Sequence, residues 1–279
     1  MRFGYGTNGF ANHRLGDAIR VLAELGYDGV ALTLDHDHLD PFALDLPRRT
    51  AEVGALLAEH RMAVVIETGA RYVLDPMHKH APTLLHAEGA ERRLELLRRA
   101  VDVAADLGAE AVSFWSGALP AGVAPDVGWR RLVDGCTELA SYAEERGVPL
   151  GFEPEPGMLV DDLAGYLKLR AGVGSESLGL TLDIGHLRCN EPVPPPACIA
   201  EGAPYLVNVQ IDDMRRGVHE HLEFGRGEVD FPPVLAALRN AGYDGLVAVE
   251  LPRHSHAAPL VARHSIDFLR TAEEASEWL

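Results

Sequence analysis

Residues 240–250 of the chain read NAGYDGLVAVE, and this stretch contains the pattern that decides the fold. Gly242 follows an amphipathic helical segment, and a glycine at that position adopts the left-handed conformation that ends a helix. The apolar run at residues 246–249 is too short for another helix, so it predicts a buried strand that ends at Glu250. The stretch is therefore predicted to be one helix-to-strand step.

The same step recurs along the chain. A helical pattern, a glycine and a short apolar run occur together at residues 23–34, 105–115 and 145–153. Apolar runs predict eight strands, near residues 2–6, 29–34, 63–67, 110–115, 149–153, 179–184, 206–212 and 246–251. Helical patterns lie near residues 14–25, 47–60, 89–107, 128–146, 161–171, 196–203, 231–241 and 257–271.

Strands that alternate with helices run parallel, and helices must cover both faces of their sheet. Eight such units in 279 residues predict an α/β fold of the (β/α)₈ TIM barrel type, with an open doubly wound sheet as the second candidate. Because no composition break or flexible linker interrupts the pattern, residues 1–279 are predicted to form a single domain. No Gly-x-Gly-x-x-Gly follows the first strand, which argues against a dinucleotide-binding fold.

The composition excludes several classes of protein. No apolar run approaches the roughly 20 residues that span a bilayer, and the N-terminus resembles no signal peptide. The net charge of −17, from 42 acidic and 25 basic residues, repels phosphate backbones and disfavours nucleic-acid binding. Cys136, Cys189 and Cys198 support neither a disulfide framework nor a zinc ribbon, so we expect a protein of the reducing cytoplasm.

Polar residues end the predicted strands, and the active site of a parallel barrel lies at that end of the strands. The last four strands end in three carboxylates and one amide, Glu153, Asp183, Gln210 and Glu250. One such acid usually only caps the following helix, but four consecutive strands that end in this way favour a shared metal centre. An all-oxygen ligand set suits Mn²⁺ or Mg²⁺ best, with Co²⁺ or Zn²⁺ as further candidates.

Four motifs together resemble the xylose-isomerase-like TIM barrels. They are FEPEPG at residues 152–157, LDIGH at 182–186, NVQIDD at 208–213 and the Val-Glu pair at 249–250. That superfamily includes ketose 3-epimerases, hydroxypyruvate isomerase, inosose isomerases and dehydratases, and the endonuclease IV branch. The similarity covers nearly the whole chain, and residues 225–231 match the loop that follows the seventh strand. The motifs are specific for the superfamily and not for a substrate.

The resemblance implies roles for individual residues. Glu153, Asp183, Gln210 and Glu250 take the metal-ligand positions. Glu153 and Glu250 would also be the acid–base pair, one on each face of the substrate. His186, three residues after Asp183, matches a ligand of a substrate oxygen.

Other positions bear on the subfamily. Arg216, or Arg215 within the alignment uncertainty of one residue, falls near a substrate-contacting arginine of the epimerases. Gln210 resembles the seventh-strand ligand of hydroxypyruvate isomerase, since sugar epimerases usually have histidine there. Leu159 replaces the glutamate that epimerases have six residues after their first ligand. These departures argue against a specific assignment as a ketose 3-epimerase.

Substrate contacts are also expected from residues near the strand ends. The long connection at residues 68–88 carries Arg71, Lys79 and His80, which would suit a carboxylate, a phosphate or a hydroxyl-rich ligand. The alternative is a solvated loop with incidental charge. Trp115 and Glu155 are expected at the substrate pocket, although barrel packing would also account for the tryptophan.

Three further histidines are candidate extra ligands for metal or substrate. His219 and His221 follow the seventh strand, where the endonuclease branch has an acid-x-His pair for an additional zinc, and His254 follows Glu250 similarly. Exposed loop histidines that bind no metal are the more common alternative.

These observations predict a divalent-metal-dependent isomerase or epimerase of a small sugar, keto-sugar or cyclitol. The reaction would pass through a metal-stabilised enediolate, with one carboxylate taking a proton and another returning it. An inosose-type dehydratase could use the same site, whereas an abasic-site endonuclease and a non-catalytic barrel are less favoured. The expected partner is a small polyhydroxylated substrate, without nucleic acid or membrane, and a homodimer or homotetramer is expected from the helical shell.

Overall fold

Parallel strands form a closed barrel in the computed structural model, which describes residues 1–69 and 71–278. Ala70, in the predicted 68–88 connection, and Leu279 lie outside the described residues. The strands are β1 Arg2–Gly6, β2 Gly29–Thr33, β3 Ala63–Glu67, β4 Val112–Phe114, β5 Leu150–Phe152, β6 Leu178–Asp183, β7 Leu206–Ile211, β8 Asp213–Arg215, β9 Val218–Leu222 and β10 Leu246–Val249.

The barrel has the strand order β1-β10-β7-β6-β5-β4-β3-β2, and β1 pairs with both β10 and β2. The sheet therefore closes on itself, which confirms the TIM barrel and excludes the open doubly wound sheet. β8 and β9 form a separate antiparallel hairpin after β7.

Helices surround the barrel and follow the strands. They are α1 Leu15–Leu25, α2 Leu46–His60, α3 Ala90–Leu107, α4 Pro125–Glu145, α5 Leu163–Val173, α6 Ile184–Asn190, α7 Pro195–Gly202, α8 Phe231–Asn240 and α9 Ala258–Ser276. Short 3₁₀ turns occur at Thr7–Phe10, Ala203–Tyr205 and Ser255–Ala257.

The step read from residues 240–250 forms as predicted. α8 ends at Asn240, and Gly242 has a φ of 70°, a conformation that a residue with a Cβ adopts only with strain. β10 follows at once and pairs with β1 and β7, so Glu250 comes directly after a buried strand. The local signal thus sets both the helix end and the position of an acid at the rim of the barrel.

Apolar side chains pack the strands against the helices. Ala31, Val65, Leu246 and Ala248, on β2, β3 and β10, form a separate buried cluster. Polar residues form a layer within the barrel, where Ser113 Oγ lies 3.1 Å from Thr181 Oγ1 and Asn208 Nδ2 donates to Glu67 Oε1 over 3.3 Å. Glu67 and Ser113 also line the cavity at the C-terminal ends of the strands, so this layer forms its floor.

The predicted barrel strands agree with the structure to within two residues at each end. Neither α6 nor the β8–β9 hairpin is among the predicted elements. α6 is short, and it forms because the Asp183 carboxylate accepts a hydrogen bond from the backbone N–H of His186 at its first turn. The hairpin turns at Gly217, which has a φ of 70°.

Two further observations concern membrane-spanning helices and the cysteines. Within residues 1–69 and 71–278, no helix combines the length and the hydropathy that a membrane span needs. The three cysteines are buried free thiols.

Candidate active site

A cavity of about 460 Å³ opens at the C-terminal ends of the barrel strands. It falls in the size range of small-molecule sites. The predicted site residues that line it are Arg71, Lys79, His80, Trp115, Glu153, Glu155, His186, Gln210, His219, His221 and Glu250. Residues from the ends of β4, β5, β6, β7 and β10, from the β8–β9 hairpin and from the connection after β3 therefore meet at one place.

Three predicted site residues do not line this cavity. Asp183 is buried and lines a small pocket that His186 also lines. Arg216 donates a hydrogen bond to the carbonyl of Glu191, at the end of α6, and its alternative Arg215 donates to the carbonyl of Arg226 over 2.9 Å. His254 Nε2 lies 3.8 Å from Glu223 Oε1.

Glu153, Asp183 and His186 form a compact buried cluster. One ligand atom from each lies within 4.8 Å of the others, and His186 Nδ1 is 3.3 Å from Glu153 Oε1. Asp183 uses Oδ1 to cap α6, with 2.7 Å to His186 N, whereas its Oδ2 is buried without a hydrogen-bond partner among the described residues. An unpaired buried carboxylate oxygen is costly unless a cation binds it.

Gln210 and Glu250 extend the cluster from the neighbouring strands. Gln210 pairs with Asp183 in the β6–β7 register, and its Oε1 is also buried without a hydrogen-bond partner in the described part of the chain. Glu250 Oε1 accepts a hydrogen bond from Asn8 Nδ2 over 3.1 Å. Two partnerless oxygens beside carboxylates are a donor set that fits a hard divalent cation.

The electrostatics of the cluster disfavour ionised carboxylates. Burial raises the pKa of Glu153 to about 8, although the nearby His186 opposes the shift. Burial also raises the pKa of Glu67 well above its ordinary value, and the charges of Glu153 and Glu250 add to that effect. A bound cation would lower the pKa of these carboxylates, because its positive charge stabilises their ionised form in the cavity.

The β8–β9 hairpin brings two histidines against His186. His219 Nε2 lies 3.1 Å from His186 Nε2, and His221 Nδ1 lies 2.5 Å from Asp212 Oδ2. One ring nitrogen of each histidine lies within 4.8 Å of the other two. His219 and His221 were expected in a loop, but they lie on β9, and this hairpin is what orients them toward the site.

The two β9 histidines differ in protonation. Burial lowers the pKa of His219 to about 4, with the charge of His186 as the next cause. Burial would also lower the pKa of His221, but its contact with the Asp212 carboxylate raises it to about 9. His219 is therefore neutral near pH 7 and His221 is cationic.

Asp213 organises the loop that follows the hairpin, a role that sequence reasoning missed. Its carboxylate accepts hydrogen bonds from four backbone N–H groups, those of Met214 at 3.0 Å, Gly225 at 2.9 Å, Gly227 at 2.7 Å and Val229 at 3.0 Å. A Cβ on Gly227 would lie 2.2 Å from Asp213 Oδ1, so the close approach requires glycine. The second acid of the NVQIDD motif and the Gly-Arg-Gly loop were the available signals.

Arg93 on α3 is another residue that sequence reasoning missed. Its buried guanidinium donates to three carbonyls of the connection after β3, those of Thr68 at 3.3 Å, His80 at 2.6 Å and Pro82 at 3.0 Å. It also lies 4.9 Å from the centre of the Trp115 ring. Arg93 thereby fixes the connection that carries the cationic residues of the cavity.

His80 and Trp115 form one packed unit at the cavity wall. Their rings meet edge to face with centroids 5.2 Å apart, and His80 Nδ1 lies 2.6 Å from the carbonyl oxygen of Gly69. Burial lowers the pKa of His80 to about 4, so the ring is neutral near pH 7. His80 therefore contributes a polar edge, and the cationic charge of this connection comes from Arg71 and Lys79.

Comparison with known proteins gives a consistent result. Residues 19–272 match the sequence profile of the xylose isomerase-like TIM barrel family. The chain is 26% identical to the L-ribulose-5-phosphate 3-epimerase of Shigella flexneri over 241 residues, which cover 84% of this chain and 81% of that protein. It is 25% identical over 264 residues to an uncharacterised protein of Methanocaldococcus jannaschii, with 90% and 83% covered.

Solved structures show the same fold. An L-ribulose 3-epimerase superposes with a TM-score of 0.79 and 21% identity over 99% of this chain and 97% of that chain. The D-allulose 3-epimerase from Methylomonas sp. superposes with a TM-score of 0.77 and 20% identity over 98% of each chain.

Proposed function

The chain belongs to the xylose isomerase-like TIM barrel family, and from this premise we propose that it is a divalent-metal-dependent epimerase or isomerase of a small keto-sugar. The observation that carries the proposal is the pair of buried oxygens, Asp183 Oδ2 and Gln210 Oε1, that have no hydrogen-bond partner within the described residues. Asp183 lies in one cluster with Glu153 and pairs with Gln210 across β6 and β7. Similarity to an L-ribulose-5-phosphate 3-epimerase supports the reaction class.

Glu153, Asp183, Gln210 and Glu250 would hold the metal, and their oxygens favour Mn²⁺ or Mg²⁺. When bound there, the cation would polarise the substrate carbonyl and lower the energy of negative charge on its oxygen. Asn8 holds the Glu250 carboxylate through its 3.1 Å hydrogen bond, and His186 holds Glu153 at 3.3 Å. These neighbours restrict the rotamers of both acids.

Glu153 and Glu250 are the two groups that would move protons. β5 and β10 are separated by β6 and β7 in the barrel, so the two carboxylates reach the cavity from different sides. One would take the proton from the carbon beside the carbonyl, and the other would deliver a proton to the opposite face of the same carbon or to a neighbouring carbon. The first outcome is an epimer and the second an isomer.

His186 and His219 would bind substrate oxygens rather than a second metal. His219 lines the cavity and is neutral near pH 7, so its ring can donate or accept a hydrogen bond. Trp115 and Glu155, which also line the cavity, would contact the rest of the sugar. We expect one metal ion per chain, unchanged in His219→Gln. A second ion that disappears in this variant would instead assign the β9 histidines to a metal.

Metal analysis and isotope exchange test the proposal together. Protein titrated with Mn²⁺, Mg²⁺, Co²⁺ or Zn²⁺ should bind one ion, and Asp183→Asn should lose it. With metal bound, L-ribulose, L-ribulose 5-phosphate, D-allulose, hydroxypyruvate and inososes are incubated in D₂O. We expect deuterium beside the carbonyl of at least one of them. Glu144→Gln, which removes an exposed carboxylate on α4, is the matched control for Glu153→Gln and Glu250→Gln.

The outcomes separate the alternatives. A product that keeps the substrate's mass supports epimerisation or isomerisation, whereas a product that has lost water indicates the inosose-type dehydratase. The proposal is wrong if no metal binds, or if exchange persists unchanged in both Glu153→Gln and Glu250→Gln. The cytoplasmic location and the homodimer or homotetramer remain predictions, and light scattering tests the assembly.

A further inference from the structure

The wall of the cavity carries charges of both signs. Glu67, Glu153 and Glu250 come from strand ends, whereas Arg71 and Lys79 come from the connection between β3 and α3. The chain has a net charge of −17 and contains only two lysines, Lys79 and Lys168. One of those two lysines therefore lines the candidate active site of a strongly acidic protein.

In the described part of the chain, neither of these two cations has an acidic side chain within ion-pair distance. Within the described residues, Arg71 and Lys79 form no ion pair, whereas Arg253 at the same cavity pairs with Glu220 at 3.5 Å. Among the residues that the structure describes, the Arg71 side chain donates one hydrogen bond, from Nη2 to the carbonyl of Asn8 over 3.4 Å. Arginine and lysine side chains that face a cavity without a carboxylate partner retain their capacity to bind an anion.

The connection that carries these cations is held in place by its neighbours. Arg93 binds the carbonyls of Thr68, His80 and Pro82 from beneath, and His80 N donates to the Arg71 carbonyl over 2.5 Å. The described parts of the connection are thus ordered by contacts that involve no ligand. Such preorganisation lowers the entropy lost when a ligand binds.

From these contacts we infer that the substrate is anionic, and that Arg71 and Lys79 bind its phosphate or carboxylate group. The inference rests on the proposed function, because it specifies the substrate class of the same site. An anion beside Glu153 and Glu250 would be repelled, so the charged end lies at the cationic wall and the keto end reaches the acids. The cavity of about 460 Å³ has room for a five- or six-carbon sugar with such a group.

Inorganic phosphate tests the anion site without turnover. Metal-free protein in a chelating buffer is titrated with sodium phosphate, and binding is followed by calorimetry and by thermal stabilisation. Arg71→Gln and Lys79→Gln should each weaken binding about tenfold, because each removes one charge-assisted contact. The matched controls Lys168→Gln and Arg263→Gln make the same charge changes on α5 and α9 and should bind as the wild type does. Equal affinity in all five proteins would overturn the inference.

Deuterium exchange on three keto-sugars identifies the anion. The metal-loaded enzyme is given L-ribulose 5-phosphate, a ketohexuronate and neutral L-ribulose. The preferred substrate should be one of the two anions, and Arg71→Gln should raise its KM about tenfold more than the KM of L-ribulose. Equal KM values for charged and neutral sugars in the wild type would overturn the anion assignment while the proposed function stands. Absence of exchange on every keto-sugar would instead refute the proposed function, and the phosphate titration would still report on the anion site.

Discussion

Arg93→Met is expected to lower the free energy of unfolding by about 3–5 kcal/mol. The wild-type guanidinium donates to the carbonyls of Thr68, His80 and Pro82 at 3.3, 2.6 and 3.0 Å. A hydrogen bond to a charged group contributes about 1.5–3 kcal/mol, so three of them set an upper bound of about 5–9 kcal/mol. Burial, which lowers the pKa of Arg93 to about 10, opposes part of that stabilisation. Methionine also retains apolar contact with Trp115.

Urea unfolding followed by circular dichroism measures the change. Arg92→Met is the matched control, because Arg92 is exposed, precedes Arg93 on the same helix and donates to one carbonyl, that of Leu74. It should cost less than about 1 kcal/mol. Arg93→Lys keeps the charge but lacks the planar fork that reaches three carbonyls, so its stability should fall between the two.

The comparison of the two methionine variants tests whether the hydrogen bonds of Arg93 stabilise the fold. If Arg93→Met destabilises the fold no more than Arg92→Met does, the three hydrogen bonds contribute little and the burial of the guanidinium offsets them. The same result would remove the structural reason for an ordered connection after β3.

Three other expectations follow from the site. Asp213→Ala should lower the free energy of unfolding in urea by about 2–4 kcal/mol, because several backbone N–H groups lose their acceptor. Asp244→Ala, which removes an exposed carboxylate, should lower it little. Equal losses of stability in the two variants would contradict this expectation. The pKa of His80 is about 4 in the folded protein against an ordinary 6.5, so its contribution to stability is present above pH 6.5 and is lost as pH falls toward 4. The free energy of unfolding of His80→Gln should therefore depend less on pH over that range. An unchanged slope would refute the pKa shift. Chelation should abolish deuterium exchange in the wild type, and added Mn²⁺ should restore it. Added Mn²⁺ should not restore exchange in Asp183→Asn. Exchange that persists after complete removal of metal would exclude the metal site.

Local sequence patterns were sufficient to predict the barrel. A helix, a glycine and a short apolar run are each recognisable within about ten residues, and their repetition leaves few closed parallel folds. The acids and the amide at the last four strand ends followed from the same pattern, since parallel strands bring their C-terminal ends to one rim. For this reason the sequence predicts that Glu153, Gln210 and Glu250 lie close together, and in the structure all three line one cavity.

Contacts between distant segments were decided by the tertiary structure alone. His219 and His221 meet His186 because β8 and β9 fold back as a hairpin. Arg216, which the resemblance placed near the substrate, donates a hydrogen bond to the carbonyl of Glu191. Arg93 has no local signal, because its three acceptors lie 11 to 25 residues earlier in an irregular segment. Hydrophobic periodicity specifies which face of an element is buried, but side-chain partners depend on the three-dimensional path of loops that have no periodicity.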